Sequence, residues 1–277
     1  MPMHVSAIVL SYNKREYTRR CLESLVASDC PGLEIILVDQ GSTDGTREWL
    51  ERFAAACPVP IRPVLNEHNV GACTGRNQGI ATASGRLLAF LDNDVVVEQR
   101  DGLRRLAARL EAEPDAGLVT AKLLYPDPPH RIQYAGCAVT PSGRIVYLGR
   151  GEAREDPRFS QERDLQATIS AFIMVKREVI EKVGGFDEAF NPVQFEDLDL
   201  SYRARAAGYR VIYYPSVEAF HYENVTTDGS PDLNFRYLTI RHGLIFKERW
   251  RHMFEHEGGP DDAEAVWRPI ERPRIGE

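Results

Sequence analysis

The sequence predicts an α/β fold: a mostly parallel sheet flanked by helices, with a mixed second half. Three observations lead there. Short runs are almost wholly apolar, as expected of strands buried on both faces. Helically spaced segments alternate with them over about the first 120 residues. Polar turns close the runs at their carboxyl ends, where such sheets bind ligands.

Taken in order, residues His4 to Leu10 read as a buried strand, broken by Ser11-Tyr12-Asn13. Arg15 to Ala27 repeats apolar residues at Tyr17, Cys21, Leu22, Leu25 and Val26, the spacing of a helix. Leu33 to Val38 is a second strand, and Asp39-Gln40-Gly41-Ser42 a turn. Ser42 or Thr43 is expected to cap a helix that runs through Phe53. Ile61 to Leu65 is a third strand, Val70 to Ala83 a helix, Arg86 to Leu91 a fourth strand and Gly102 to Glu113 a helix ended by Pro114.

After residue 120 the alternation stops. Pro126, Pro128, Pro129 and Pro141 punctuate a loop-and-strand region through Leu148. Gly149 to Asp164 is polar and charged, the composition of a mobile loop. Ser170 to Val175 is apolar, Arg177 to Val183 reads as a short helix and Phe195 to Ala207 as an amphipathic one. Val211 to Tyr214 is a final strand, turned by Pro215 before His221. The stretch from Gly258 onward is rich in Pro, Gly and charge and is expected to be poorly ordered.

The bulk properties fit a core-forming globular chain: 43% hydrophobic and 27% charged over 277 residues. A net charge of −7 argues against a nucleic-acid partner. No apolar run reaches the length of a membrane span, and Met1 to Ala7 lacks a basic stretch followed by an apolar one. The five cysteines (Cys21, Cys30, Cys57, Cys73 and Cys137) form no CxxC pair, which suits reduced thiols in a cytoplasmic setting.

Several polar groups stand where a ligand would bind. Asp92-Asn93-Asp94 sets two carboxylates around one residue after an apolar strand. Hard oxygens in that array suit Mg²⁺ or Mn²⁺, which bind diphosphate oxygens; a plain Asn/Asp turn is the simpler reading. Asp39 offers an acceptor to a base or ribose, or else caps the next helix. Gly71 to Asn77 is glycine-rich and carries Arg76, either a phosphate or base contact or an exposed helix residue. Glu196, Asp197 and Asp199 open a helix, where acids suit the dipole; one of them is also placed to act as a general base. His221 is a lone histidine, either structural or part of a metal shell.

The order and spacing of these stretches resemble family 2 of the inverting glycosyltransferases, which have the GT-A fold. The matching segments are Val9 to Asn13, Val38 to Thr46, Asn69 to Gly71, Arg76 to Gly79, Leu91 to Asp94, Gly184 to Asp187, and Phe195 to Leu200 followed by Gly208-Tyr209 and His221. Rhamnosyltransferase-type members are the most similar. The resemblance implies a domain over 1–224, with a nucleotide-sugar half (1–100) and an acceptor half (101–224), and a helical extension and tail over 225–277. It implies that the segment from Leu10 to Tyr12 and Asp39 hold the base, with Arg76 nearby. Asp92, with Asn93 beside it, would contact the ribose; Asp94, Asp92 and His221 would hold Mn²⁺ or Mg²⁺. Asp197 would be the base and Glu196 its support. One departure is Gln40, where a shorter polar residue is usual.

The implied partners are a UDP-, dTDP- or GDP-sugar donor and a glycan, lipid-linked or other hydroxyl acceptor. A nucleotidyltransferase is disfavoured, because Ser11 to Arg15 contains no glycine for a phosphate loop. A non-catalytic nucleotide-binding relative, or a subunit of a carbohydrate-assembly complex, is the remaining alternative. Leu233 to Phe254 is basic and aromatic. It reads as an amphipathic helix on the inner face of a membrane, a helix packed on the domain, or a homodimer contact.

Overall fold

The computed structural model describes residues 4–223, 225, 234–267, 269, 270 and 275. The expected boundary at 224/225 and the start of the basic segment at Leu233 involve residues outside that set. The chain alternates β1 (Val5–Ser11), α1 (Arg15–Val26), β2 (Leu33–Asp39), α2 (Thr46–Ala56), β3 (Ile61–Leu65), α3 (Ala72–Thr82) and β4 (Leu87–Asp92). The short β5 (Val95–Val96), α4 (Gly102–Glu111) and the long β6 (Ala116–Leu124) follow. Next come β7 (Ile132–Tyr134), β8 (Cys137–Val139), β9 (Ile145–Tyr147), β10 (Arg163–Asp164), β11 (Phe172–Lys176) and α5 (Arg177–Val183). The last described elements are α6 (Glu196–Ala206), β12 (Arg210–His221) and α7 (Phe235–Phe254).

Among the described residues, one ten-stranded sheet runs β10-β12-β6-β11-β4-β1-β2-β3, with β5 beside β12 and β7 beside β6. The β4-β1-β2-β3 half is parallel. In the other half β11 is antiparallel to both neighbours, while β12 and β6 are parallel. This is the GT-A arrangement: a parallel half joined to a mixed half. Strands β1, β2 and β4 are buried along nearly their whole length, as their apolar runs require.

Register determines the site. Leu10 pairs with Asp92 across β1 and β4, and Ser11 with Asp39 across β1 and β2, so three polar turns leave one sheet edge together. On the far side β12 turns back against β5, pairing His221 with Val95.

Several expected boundaries move. Helix α2 starts at Thr46, capped by Gly45 at φ 84°, because Ser42 and Thr43 are used elsewhere. The Ser42 hydroxyl accepts from the Asn13 amide, and the Thr43 amide donates to Asn13 Oδ1. Strand β12 continues past Pro215 to His221; a register shift between Tyr214 and Glu218 takes up the proline. Strand β6, which the sequence pattern missed, is buried throughout. Helix α6 is not amphipathic, since Glu196, Leu198, Asp199, Leu200, Ser201, Tyr202 and Ala204 are all buried.

The segment 149–164 is tied down rather than loose. Arg150 pairs with Glu223 and Arg154 with Glu218, and β10 joins the sheet edge. Beyond Gly258, Asp261 and Glu264 form a reciprocal capping box, and Trp267 packs over Arg150. Helix α7 lies on the domain. Phe246 and Phe254 are buried, Trp250 Nε1 donates to Asp199, and Arg249 pairs with Asp187.

Candidate active site

Three potential ligands converge at the sheet edge. Donor atoms of Asp92, Asp94 and His221 all lie within 4.8 Å of one another. Asp92 is the last residue of β4, and Asp94 follows one turn residue later. His221 arrives from β12, which the β5 pairing and a bond from the Tyr222 amide to the Asp94 carbonyl (3.1 Å) lock against that turn. Two carboxylates and one imidazole suit a divalent cation of intermediate hardness.

Burial and mutual charge act on all three groups. His221 Nε2 lies 3.4 Å from Asp94 Oδ1. Burial pushes the Asp94 carboxyl up, but the charge and hydrogen bond of His221, together with backbone amides, leave it below its ordinary value. Burial pushes His221 down, yet the acids around it leave it raised. Asp92 is raised, by burial first and by Asp94 as well. Its side chain keeps 36% of its surface exposed, so it faces solvent while Asp94 does not.

Arg76 is the hub of the site. It is buried, and its guanidinium donates to Asp92 Oδ1 (3.0 Å) and to Glu196 Oε1 (2.7 Å). It is therefore not an exposed helix residue. Its planar fork joins the turn after β4 to the start of α6.

The glycine-rich stretch has a packing role. A Cβ on Gly75 would stand 2.4 Å from Gln40 Nε2, and one on Gly79 would stand 2.4 Å from Ile8 Cγ2, so these glycines let α3 lie close on the sheet. The first α3 amides are already used: Ala72 donates to the Pro192 carbonyl and Cys73 to Asn191 Oδ1. The helix N-terminus is thus capped by protein and does not offer these amides to a phosphate. Gln40, the departure from the family pattern, is buried and binds the Gly71 carbonyl and the Val70 amide.

Asp39 is fully buried. Its Oδ1 accepts from the Gly41 and Ser42 amides (3.2 and 3.0 Å) and from Arg47 Nε (2.6 Å), so it shapes its own turn and does not cap α2. Its Oδ2 is buried with no hydrogen-bond partner among the described residues. Leu10 and Tyr12 are half-buried on either side of Ser11. Asn93 is buried, and its amide donates to Thr18 Oγ1 (2.9 Å), which in turn meets the Ser11 hydroxyl (2.9 Å). Its side chain braces the turn against α1.

Across the hub stand Glu196 and Asp197. Glu196 is buried, its Oε2 lacks a hydrogen-bond partner among the described residues, and burial together with the Asp197 charge pushes it up to about 7. Asp197 is half-buried. Its Oδ2 accepts from the Ser170 amide (3.0 Å) and Oδ1 from the Leu198 amide (2.8 Å). Burial raises this carboxyl too, making it a stronger base. Asp199, the third acid, is fully buried and bound to Arg203, Arg249 and Trp250. It anchors α7.

Sequence reasoning missed Arg47 and the pair Gln133 and Glu223, which meet the site only through the fold. A separate concavity of about 410 Å³, lined by Arg20, Glu23, Val96 and Tyr222 among others, contains none of the site carboxylates.

Known proteins share the sequence pattern and the fold. A protein of Sinorhizobium fredii described as uncharacterized, y4gI, is 30% identical over 256 residues, covering 89% of this chain and 27% of that protein. The O-antigen biosynthesis protein RfbC of Myxococcus xanthus is 30% identical over 240 residues, covering 83% of this chain and 18% of RfbC. The chain therefore spans about a quarter or less of these relatives. The mannosyltransferase PcManGT from Pyrobaculum calidifontis, solved with GDP-Man and Mn²⁺, shares the fold at a TM-score of 0.63 and 21% identity. That match covers 94% of this chain and 66% of PcManGT. The model of glycosyl transferase family 2 matches residues 6–184, and the chain belongs to that family.

Proposed function

We propose that the chain transfers a sugar from a nucleoside-diphosphate sugar to a hydroxyl acceptor in glycan synthesis, with inversion at the anomeric carbon. The observation that carries this is the Asp92–Asp94–His221 cluster, joined through the Arg76 fork to Glu196, the neighbour of Asp197. The residues proposed to bind a metal and the proposed general base are thereby linked through one guanidinium. RfbC, as an O-antigen biosynthesis protein, and PcManGT, as a mannosyltransferase, support the reaction class.

Asp92, Asp94 and His221 would hold the cation. An imidazole in the donor set favours Mn²⁺ over Mg²⁺. When bound, the cation supplies charge neutralisation on the departing diphosphate. Leu10, Tyr12 and Asp39 would hold the base end of the donor, with Asp39 Oδ2, which has no hydrogen-bond partner among the described residues, as an acceptor for a base or ribose donor once the turn adjusts to ligand. Arg76 fixes the direction of Asp92 and Glu196 from behind. Asp197, held by the Ser170 and Leu198 amides, takes the acceptor's hydroxyl proton. The acceptor oxygen then bonds to the anomeric carbon from the face opposite the leaving diphosphate, whose glycosidic oxygen keeps the bonding pair. Glu196 holds its neighbour in place without touching substrate.

Asp197→Asn is expected to lower turnover about 10²- to 10⁴-fold, with donor binding unchanged. Near-normal turnover in a folded Asp197→Asn variant would remove Asp197 from the role of base.

The chain also fits work at the cytoplasmic face of a membrane. No helix among the described residues is long and apolar enough to cross one. Tyr237, Ile240 and Leu244, 59%, 57% and 64% exposed, form one outward stripe on α7, flanked by exposed Arg236 and Arg241. Apolar residues at that spacing with basic flanks suit an anionic lipid surface.

A further inference from the structure

We propose that His242 of α7 is a positioning residue that pins the turn before α6 and thereby keeps the Asp197 carboxylate on the Ser170 amide. The inference rests on the reading of Asp197 as the base.

The turn is strained where the acids begin. Gln194 and Phe195 both stand in the left-handed region, at φ 82° and 71°. Residues with side chains keep that conformation only where their surroundings enforce it. Phe195 is the N-cap of α6, and its side chain caps nothing. Glu196 and Asp197 follow as the first two helical residues. The Asp199 amide donates to the Phe195 carbonyl at 2.9 Å, so the helix ladder starts from the turn itself. A rotation of this turn would swing both acids.

His242 meets the turn from α7. Its Nδ1 lies 3.0 Å from the Val193 carbonyl oxygen and 3.1 Å from that of Gln194. Carbonyls only accept, so Nδ1 carries the proton and is shared between the two. The side chain is fully buried, and Nε2 has no hydrogen-bond partner among the described residues. A ring nitrogen buried in that way opposes folding. An apolar side chain would avoid this penalty but would leave two carbonyls of a strained turn without their donor. The Nδ1 proton is therefore what the histidine contributes.

Neighbouring contacts brace the same turn. The Thr239 hydroxyl meets Gln194 Oε1. The Phe195 ring packs on Phe246 at a centroid distance of 5.5 Å, and a Cβ on Gly243 would stand 3.4 Å from Phe195 Cζ. Two turns beyond His242, Trp250 Nε1 donates to Asp199 at 2.9 Å. Helix α7 thus grips the start of α6 at the turn and again at Asp199. The other half of the Asp197 contact is anchored separately: the Ser170 amide reaches Asp197 Oδ2 at 3.0 Å, and the Ile169 amide before it donates to the Tyr134 hydroxyl at 3.2 Å. His242 holds the carboxylate side of that bond, and Tyr134 the amide side.

The test is the ¹H–¹⁵N amide spectrum of the full chain at one pH in wild type, His242→Leu, His242→Asn and Asp197→Ala. Leucine fills the site without a donor, whereas an asparagine amide nitrogen can occupy the Nδ1 position. Asp197→Ala marks where the Ser170 amide proton resonates without its acceptor. In His242→Leu that proton is expected to shift from its wild-type position toward the Asp197→Ala position, with the Ile35, Ile36 and Leu37 amides of β2 unmoved. His242→Asn is expected to bring it back. The shift of a folded chain does not follow its stability, so a residue that only stabilised the fold would leave Ser170 in place. An unmoved Ser170 amide in folded His242→Leu would overturn the proposal, and so would a displaced one in His242→Asn. Should His242→Leu not fold, the wild-type ring decides: two-bond ¹H–¹⁵N spectra are expected to show the Nδ1–H tautomer, and an Nε2–H ring would overturn the proposal. Turnover of Asp197→Asn judges the base reading separately, because the Ser170 shift reports the turn whether or not Asp197 takes a proton.

Discussion

Arg76 meets Glu196 in a nearly dry setting while Asp92 reaches solvent, and the second oxygen of Glu196 has no hydrogen-bond partner among the described residues. Burial and the neighbouring Asp197 hold Glu196 at about 7, against 4.5 in the unfolded chain. Between those values the folded chain keeps a proton that the unfolded chain has lost, so stability falls as pH rises through that window. Below it both states are protonated, and above it the penalty is complete. Glu196→Gln removes this titration. The melting temperature of Glu196→Gln relative to wild type is therefore expected to rise from about pH 4.5 to about pH 7 and then level off. Parallel pH profiles for the two proteins would show that Glu196 does not titrate in this way. Asp92, Asp94 and Asp197 stand out in the sequence because acids cluster at element ends. Gln133 and Glu223 do not, since each acquires meaning from a partner 88 or 90 residues away.

At the scale of elements, α3 shows how a glycine pattern misleads. It looks like a phosphate loop, but Gly75 and Gly79 serve close packing on β1 and β2, and Asn191 and Pro192 cap the helix. Strand β6 was hidden for the opposite reason: polar residues interrupt its apolar run. Thr120 donates to the Phe172 carbonyl, and Lys122 pairs with Glu218, so both are satisfied inside. Helix α7 carries two faces. Its inner face holds Phe246 against Tyr202 and Phe195, at centroid distances of 5.2 and 5.5 Å. Its outer stripe is free of that packing. A double substitution, Ile240→Ser with Leu244→Ser, is expected to cut co-sedimentation with anionic liposomes at least several-fold and leave the melting temperature nearly unchanged. Equal co-sedimentation of variant and wild type would remove α7 from membrane contact.

For the whole molecule, the continuous sheet explains why distant segments share one site. The parallel half delivers Asp39 and Asp92 at the ends of the two strands that flank β1, a consequence of alternation that apolar periodicity makes legible. The mixed half was less legible. Its short strands β7 to β10 and the turn of β12 onto β5 depend on pairings between residues far apart in sequence, and these pairings bring His221 to the acids. The central claim is that this shared edge binds a nucleoside diphosphate through a divalent cation. The most direct measurement is the melting temperature of the chain and of Asp94→Asn with UDP, dTDP and GDP, each with and without Mn²⁺. A ligand that binds only the folded state raises that temperature, by about 2.7 kcal/mol of added stability at a hundredfold excess over Kd. A Mn²⁺-dependent rise with one of the three is expected in wild type, and its loss in Asp94→Asn. No rise with any of them, or an equal rise in Asp94→Asn, would contradict that claim.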